Sequence, residues 1–104
     1  MKAAGYNFAD MVTVGMNYKV LPGKNEFFVN ACRGIIRAMQ GMEGHSFTHL
    51  YQDVDEPDSY LIVSDWEDRT AFVQFVRSEQ FAKVTDWGKE QILAERPRHE
   101  IYEK

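Results

Sequence analysis

The sequence has one cysteine, Cys32, among 104 residues, so neither an intrachain disulfide nor a cysteine zinc site can form. No run approaches the ~18 apolar residues of a membrane span, and residues 1–10 lack the features of a signal peptide. Lys and Arg form no block, and the formal net charge is −4, which argues against nucleic acid or an anionic membrane as partner. We therefore expect a reducing, cytoplasmic setting.

Apolar residues are plentiful: 44% of the chain is hydrophobic and 13% is aromatic, which is typical of a globular protein. The length fits one domain. We predict a short N-terminal extension over residues 1–10 and a single domain over residues 11–104, without linker or repeat.

The segment from Met11 to Lys24 reads as a strand with two unequal faces, ending at Pro22-Gly23. Its apolar face carries Val12, Val14, Met16, Tyr18 and Val20, and its polar face carries Thr13, Gly15, Asn17 and Lys19. The polar face fits either a sheet surface in water or, beneath a helix, a pocket wall in which Asn17 forms hydrogen bonds.

The later elements complete a βαββαβ order, which predicts an α+β fold of the ferredoxin-like kind. The first is a helix over about Asn25–Gln40 with Gly41 as left-handed cap, followed by strands over His45–Val54 and Ser59–Trp66. A second helix is capped by Asp68, breaks near Ser78 and resumes to Trp87. A short helical piece over Lys89–Glu95 and a strand over Arg98–Glu103 complete the chain. Two helices cover one sheet face. We expect the apolar face of the first strand to be buried against a second copy, in a homodimer.

Residues with metal or nucleophile chemistry are few. His45 and His49 would share one strand face about 13 Å apart, which is too far for a shared metal ion. Cys32 lies on the apolar stripe of the first helix, so inert packing is expected. No phosphate-binding loop or hydrolase motif is present, and the residues alone name no reaction.

Met11–Lys24 together with Ser64–Phe72 resembles the antibiotic biosynthesis monooxygenase (ABM) family of dimeric α+β barrel proteins. Arg77–Phe81 and Arg96–Tyr102 are similar in position and type, so the resemblance spans residues 11 to 102. It implies a ferredoxin-like protomer, a homodimer through sheet faces and a pocket between sheet and helices. Characterised members include cofactor-free oxygenases of polycyclic aromatic compounds and haem-degrading enzymes.

The resemblance also supplies site residues. Haem-degrading members use an Asn, a Trp and a ligating His, for which this chain has Asn17, Phe75 and Thr85. Gln80 replaces a further His found in many members. Because Thr85 cannot replace imidazole as an iron ligand, haem is disfavoured and no cofactor is expected.

We predict Asn17 and His49 as catalytic, Asn17 donating a hydrogen bond to a developing oxyanion and His49 as the titratable candidate. Phe28, Ile35, Trp66, Phe72 and Phe75 are predicted to bind substrate, although Trp66 also fits a structural anchor at the strand–helix junction. The predicted ligand is a small hydrophobic or aromatic molecule, oxidised without a bound cofactor. The alternatives are a haem-binding or haem-degrading monooxygenase and a non-catalytic binding dimer.

Overall fold

The computed structural model describes residues 10–89, 92–96 and 98–103, which form a four-stranded antiparallel sheet and three helices. In chain order the elements are β1 Val12–Lys19, α1 Asn25–Met39, β2 His45–Gln52, β3 Ser59–Trp66, α2 Arg69–Val76, α3 Glu79–Lys89 and β4 Arg98–Glu103. The strand order across the sheet is β2-β3-β1-β4, so β1 and β3 are central. The predicted ferredoxin-like α+β fold is confirmed. The predicted extension over residues 1–10 lies, except for Asp10, outside the described residues.

The helices begin and end mainly where local chemistry predicts. The Asp68 side chain accepts a hydrogen bond from the Ala71 N–H at 2.8 Å, which satisfies one of the free donors at the start of α2. The break between α2 and α3 falls at Ser78, whose hydroxyl oxygen accepts from the Phe81 N–H at 3.3 Å. The prediction for Gly41 was wrong, because the left-handed glycine before β2 is Gly44, with φ of 83°.

The predicted helical piece over Lys89–Glu95 was also wrong. Lys89 ends α3, residues 90–91 lie outside the described range, and Leu93 forms an antiparallel bridge with Val20. The Ala94 N–H donates to the Lys19 carbonyl at 2.7 Å. Leu93 and Ala94 are not helical because they satisfy backbone groups at the end of β1, which a local sequence pattern does not reveal.

The apolar face of β1 packs against the chain's own helices. Val12, Val14, Met16 and Tyr18 are all buried in the main core, together with Phe28, Cys32 and Phe75 from the helices. The prediction that a second copy buries this face was therefore wrong, because the chain's own helices cover it. The reason is that the most apolar strand face buries more nonpolar area beneath two amphipathic helices of the same chain.

The other face, called here the open sheet face, has no described helix on it. Directly paired residues of antiparallel strands project to the same side, and the register places there Thr13, Gly15 and Asn17 of β1, Phe47, His49 and Tyr51 of β2, Leu61, Val63 and Asp65 of β3, and Arg98, Glu100 and Tyr102 of β4. Phe47, Tyr51 and Tyr102 are 42%, 53% and 54% exposed. Within the described part of the chain, no helix combines the length and apolar character needed to cross a membrane.

Candidate functional site

The predicted site residues lie on opposite sides of the sheet. Asn17 and His49 belong to the open sheet face. Phe28 of α1, Trp66 of β3 and Phe75 of α2 pack in the core between the sheet and the helices. A pocket that joins the two groups, as predicted, is not what the structure shows. Asn17 and His49 are themselves on strands separated by β3, roughly 10 Å apart or more, so they do not meet around one reacting atom. Their predicted catalytic roles stay predictions.

All five predicted substrate-binding residues belong to the buried core, and four of them line no described groove. Phe28, Trp66, Phe72 and Phe75 are at most 6% exposed. Trp66 stacks on Phe75 with ring centroids 5.5 Å apart and donates its indole N–H to the Ser64 hydroxyl at 2.9 Å. This arrangement matches the structural-anchor alternative for Trp66, because the ring is enclosed and its one donor is already bonded.

The fifth residue, Ile35, lines a groove of about 430 Å³ between α1 and α3. The other lining residues are Phe27, Asn30, Ala31, Gly34 and Ala38 from α1, and Gln80, Lys83, Asp86 and Trp87 from α3. Their spacings of three and four residues place them on one face of each helix. Ala31, Gly34 and Ala38 are small, which leaves space between the helices.

The groove, called here the α1–α3 groove, combines an apolar floor with a polar rim. Ile35 and Trp87 are 8% and 4% exposed and form part of the floor, while Asn30, Lys83 and Asp86 carry exposed polar groups. Such a lining suits a small, flat ligand with one polar group. The sequence did not identify Asn30, Lys83 and Asp86 as site residues. Polar residues recur at the same three- and four-residue spacing whether a helix face lines a groove or faces water.

The surroundings of Asn17 are shallower. A Cβ added at Gly15 would lie 3.6 Å from Leu61 Cδ1 and 3.7 Å from Tyr102 Cε2, so these side chains occupy much of the space that a small residue leaves there. Asn17 lines two depressions of about 280 and 270 Å³, the second of which also includes Arg98. Asn17 therefore remains available to a ligand or partner on the open sheet face.

His45 and His49 do not form a metal site together. A register irregularity between His45 and Phe47 turns His45 toward the helices, so the prediction that His45 and His49 share a face was wrong. His45 Nε2 is 2.6 Å from the Thr48 hydroxyl, and burial lowers the pKa of the imidazole. Among the described residues, no group of three or more His, Cys, Asp or Glu side chains could hold a metal ion.

Cys32 is also placed as predicted for an inert residue. Its side chain is fully buried in the core, and burial raises the pKa of the thiol to about 12. A thiol that stays protonated at neutral pH is neither a nucleophile nor a metal ligand.

The fold and the helix–helix groove define a small α+β domain of the ferredoxin-like type. The profile of the antibiotic biosynthesis monooxygenase family matches residues 11–87, and the chain belongs to this family. A protein of Natronomonas pharaonis whose name proposes heme binding is 37% identical over 87 residues, which are 84% of this chain and 14% of that protein. The chain thus spans about one seventh of that relative's length.

Two solved structures show the same fold. A conserved protein from Methanosarcina mazei has a TM-score of 0.85 and 25% identity, with 93% of this chain and 95% of that chain covered. SnoaB from Streptomyces nogalater, described as a cofactor-independent oxygenase, has a TM-score of 0.77 and 19% identity, with 92% and 94% covered. At 19% identity the likeness to SnoaB concerns the fold alone.

Proposed function

We propose that this chain is a monooxygenase that binds a small aromatic substrate in the α1–α3 groove and uses no bound cofactor. The observation that supports it is the groove itself, which pairs the apolar Ile35 and Trp87 with polar groups at its rim. Its volume of about 430 Å³ lies within the range of small-molecule sites. Membership of the ABM family makes oxygenation the reaction class to test first.

The proposed reaction needs few functional groups from the protein. An electron-rich phenolate or enolate passes electrons to molecular oxygen. One oxygen atom is bonded to the substrate, and the other leaves as water with two hydrogens that the substrate loses, as when the CH2 of an anthrone becomes the C=O of a quinone. The groove favours the anion by donating hydrogen bonds or positive charge to its oxygen. Asn30 offers an amide donor and Lys83 an ammonium group at the rim. The apolar floor holds the ring system and excludes water from one side of it.

Haem does not fit the groove. None of its described lining residues is His, Cys, Met or Tyr, which are the usual axial ligands of haem iron. The nearby candidates for an iron ligand lie elsewhere. The Cys32 thiol is buried and protonated, the His45 imidazole is hydrogen-bonded to the Thr48 hydroxyl, and His49 lies on the opposite face of the sheet. The name of the Natronomonas pharaonis relative concerns a protein of which this chain matches only 14%.

The test is oxygen uptake with a panel of anthrones and quinols, measured for the native chain and three variants. Gly34→Phe should abolish uptake. A Cβ added at Gly34 has no other atom within 4 Å, and because Gly34 lines the groove, a phenyl ring there would occupy it. Arg33→Phe places the same ring at the next, exposed position of α1, which does not line the groove, and should leave uptake unchanged. The groove proposal also expects unchanged uptake in Asn17→Ala, whereas the catalytic role predicted for Asn17 from the sequence expects a loss.

Other outcomes would redirect the proposal. Uptake that survives Gly34→Phe but falls at least tenfold in Asn17→Ala would move the site to the open sheet face. No uptake above blank with any compound, despite measurable binding, would favour the non-catalytic binding protein.

We also propose that the chain forms a homodimer through the open sheet face. Phe47, Tyr51 and Tyr102 expose aromatic surface there, and half-buried Leu61 and Val63 lie between them. Exposed apolar area of this kind is stabilised when a second copy covers it. A sheet-to-sheet contact would leave the α1–α3 groove accessible, because the two surfaces lie on opposite sides of the domain.

A further inference from the structure

We infer that the α1–α3 groove selects an aromatic monoanion, with Lys83 as the counter-ion of its oxygen. This inference rests on the proposed function for the location of the ligand and goes further by assigning the ligand's charge and the residue that recognises it. Among the described residues that line the groove, Lys83 is the cation.

The ammonium group of Lys83 is not engaged in a salt bridge within the described structure. No described residue forms an ion pair with it, in contrast to Lys19, whose Nζ lies 2.8 Å from Glu56 Oε1. Lys83 is exposed on α3, one turn from Trp87, whose ring forms part of the groove floor. An anion resting on that floor would therefore meet a free ammonium group at the rim.

Asp86 limits the ligand to a single negative charge. It lines the same groove three residues after Lys83 and makes no ion pair with it. A second anionic group on the ligand would approach this carboxylate and be repelled. The rim thus favours a monoanion whose oxygen lies toward Lys83 and whose other end carries no charge.

The volume supports a small molecule over a peptide segment. A groove of about 430 Å³ accommodates a ligand of two or three fused rings, whereas a helix or strand needs a longer continuous surface. Trp87 and Phe27 offer aromatic surface, on which a flat ring system packs well.

Selection of the anion also explains how the site can work without an imidazole base. No histidine is found among the described residues that line the groove, so none of them can remove the substrate proton through an imidazole. A groove that binds the ionised form from solution needs no such group. The anion is also the electron-rich form that reduces oxygen.

The test is calorimetric binding of a matched pair, 2-hydroxy-1,4-naphthoquinone, which is an anion at neutral pH, and its methyl ether, which cannot ionise. Lys83→Gln should weaken binding of the anion about fivefold, as expected for loss of one partly exposed charge-assisted contact. Asp86→Asn should strengthen it about twofold. Neither variant should change binding of the ether.

Two further variants complete the design. Lys24→Gln removes the same charge from an exposed position outside the groove and should change neither affinity, which separates local contact from net charge. Gly34→Phe should abolish binding of both compounds. Circular dichroism of each variant checks that the fold is retained.

The outcomes separate this inference from the proposed function. Equal binding of anion and ether, unchanged in Lys83→Gln but lost in Gly34→Phe, would overturn the charge assignment and leave the groove as the site. Binding of the anion that survives Gly34→Phe would overturn both. A loss in Lys83→Gln that Lys24→Gln reproduces would also overturn the role of Lys83.

Discussion

The indole N–H of Trp66 donates to the hydroxyl oxygen of Ser64 at 2.9 Å, and neither residue has any exposed surface. Both belong to β3, two positions apart, so they lie on the same sheet face beneath α2. The hydrogen bond lets a large ring with one polar atom be enclosed by Phe72 and Phe75 without leaving a buried donor unpaired.

Ser64→Ala should therefore destabilise the protein by about 1–3 kcal/mol, since the indole N–H would lose its acceptor in a place that water does not reach. Ser59→Ala, at the half-buried start of the same strand, should change the free energy of unfolding by less than about 0.5 kcal/mol. Urea denaturation of both variants makes the comparison. Equal, small effects would show that Trp66 does not depend on this bond.

The sequence predicted the element order and the core positions better than it predicted the site. Asn17 and Tyr18 are adjacent, and alternation correctly placed them on opposite faces of β1. It did not say which face the helices cover, because a strand pattern records the difference between faces and not the identity of the cover. Tyr18 lies beneath the helices, with its ring centroid 5.5 Å from that of Phe28, so Asn17 is on the open sheet face.

The groove was hidden from the sequence for a different reason. Its walls come from α1 and α3, which are separated along the chain by two strands and α2. The helical period identified Ile35 as buried, but the distance between two helices depends on tertiary packing. Lys83 and Asp86 consequently read as ordinary solvated residues.

Gly44→Ala should lower the free energy of unfolding by about 2–4 kcal/mol. Gly44 has φ of 83°, and an added Cβ would lie 2.5 Å from the Ala71 Cβ. The Glu67 N–H also donates to the Gly44 carbonyl at 2.7 Å, so the backbone cannot move away freely. Thermal and urea denaturation measure the change.

Gly34→Ala is the matched control for Gly44→Ala. Gly34 lies inside α1, and an added Cβ there meets no atom within 4 Å, so the substitution should stabilise the helix by about 0.5–1 kcal/mol. Opposite signs for the two substitutions are expected. Destabilisation of similar size at both positions would contradict this explanation, in which only Gly44 has a left-handed backbone and a close neighbour.

His45 should make stability depend on pH. Burial lowers the imidazole pKa in the folded state, so the unfolded chain binds the proton more readily. The contribution of neutral His45 is complete above the unfolded pKa of about 6.5 and is lost progressively as pH falls from there through the lower folded pKa. The neighbouring Thr48 and Trp66 offer no negative charge that would offset this effect.

The measurement is the free energy of unfolding between neutral and mildly acidic pH. His45→Gln should show a smaller loss of stability over that range than the native chain. His49→Gln, which changes an exposed residue on the open sheet face, should keep the native slope. A native slope in His45→Gln would show that other groups cause the dependence.

Val63→Lys should convert the proposed dimer to a monomer. Val63 is near the middle of the open sheet face, between His49 of β2 and Gly15 of β1, so a lysine there would place an unpaired charge in a sheet-to-sheet contact. In light scattering the native chain should have twice the protomer mass of 12.1 kDa, and the variant should have the protomer mass alone. Gln74→Lys adds the same side chain to exposed α2 and should leave the dimer intact. A native chain with the mass of one protomer at micromolar concentration would refute the dimer. Dissociation caused by Gln74→Lys but not by Val63→Lys would place the interface on the helices instead.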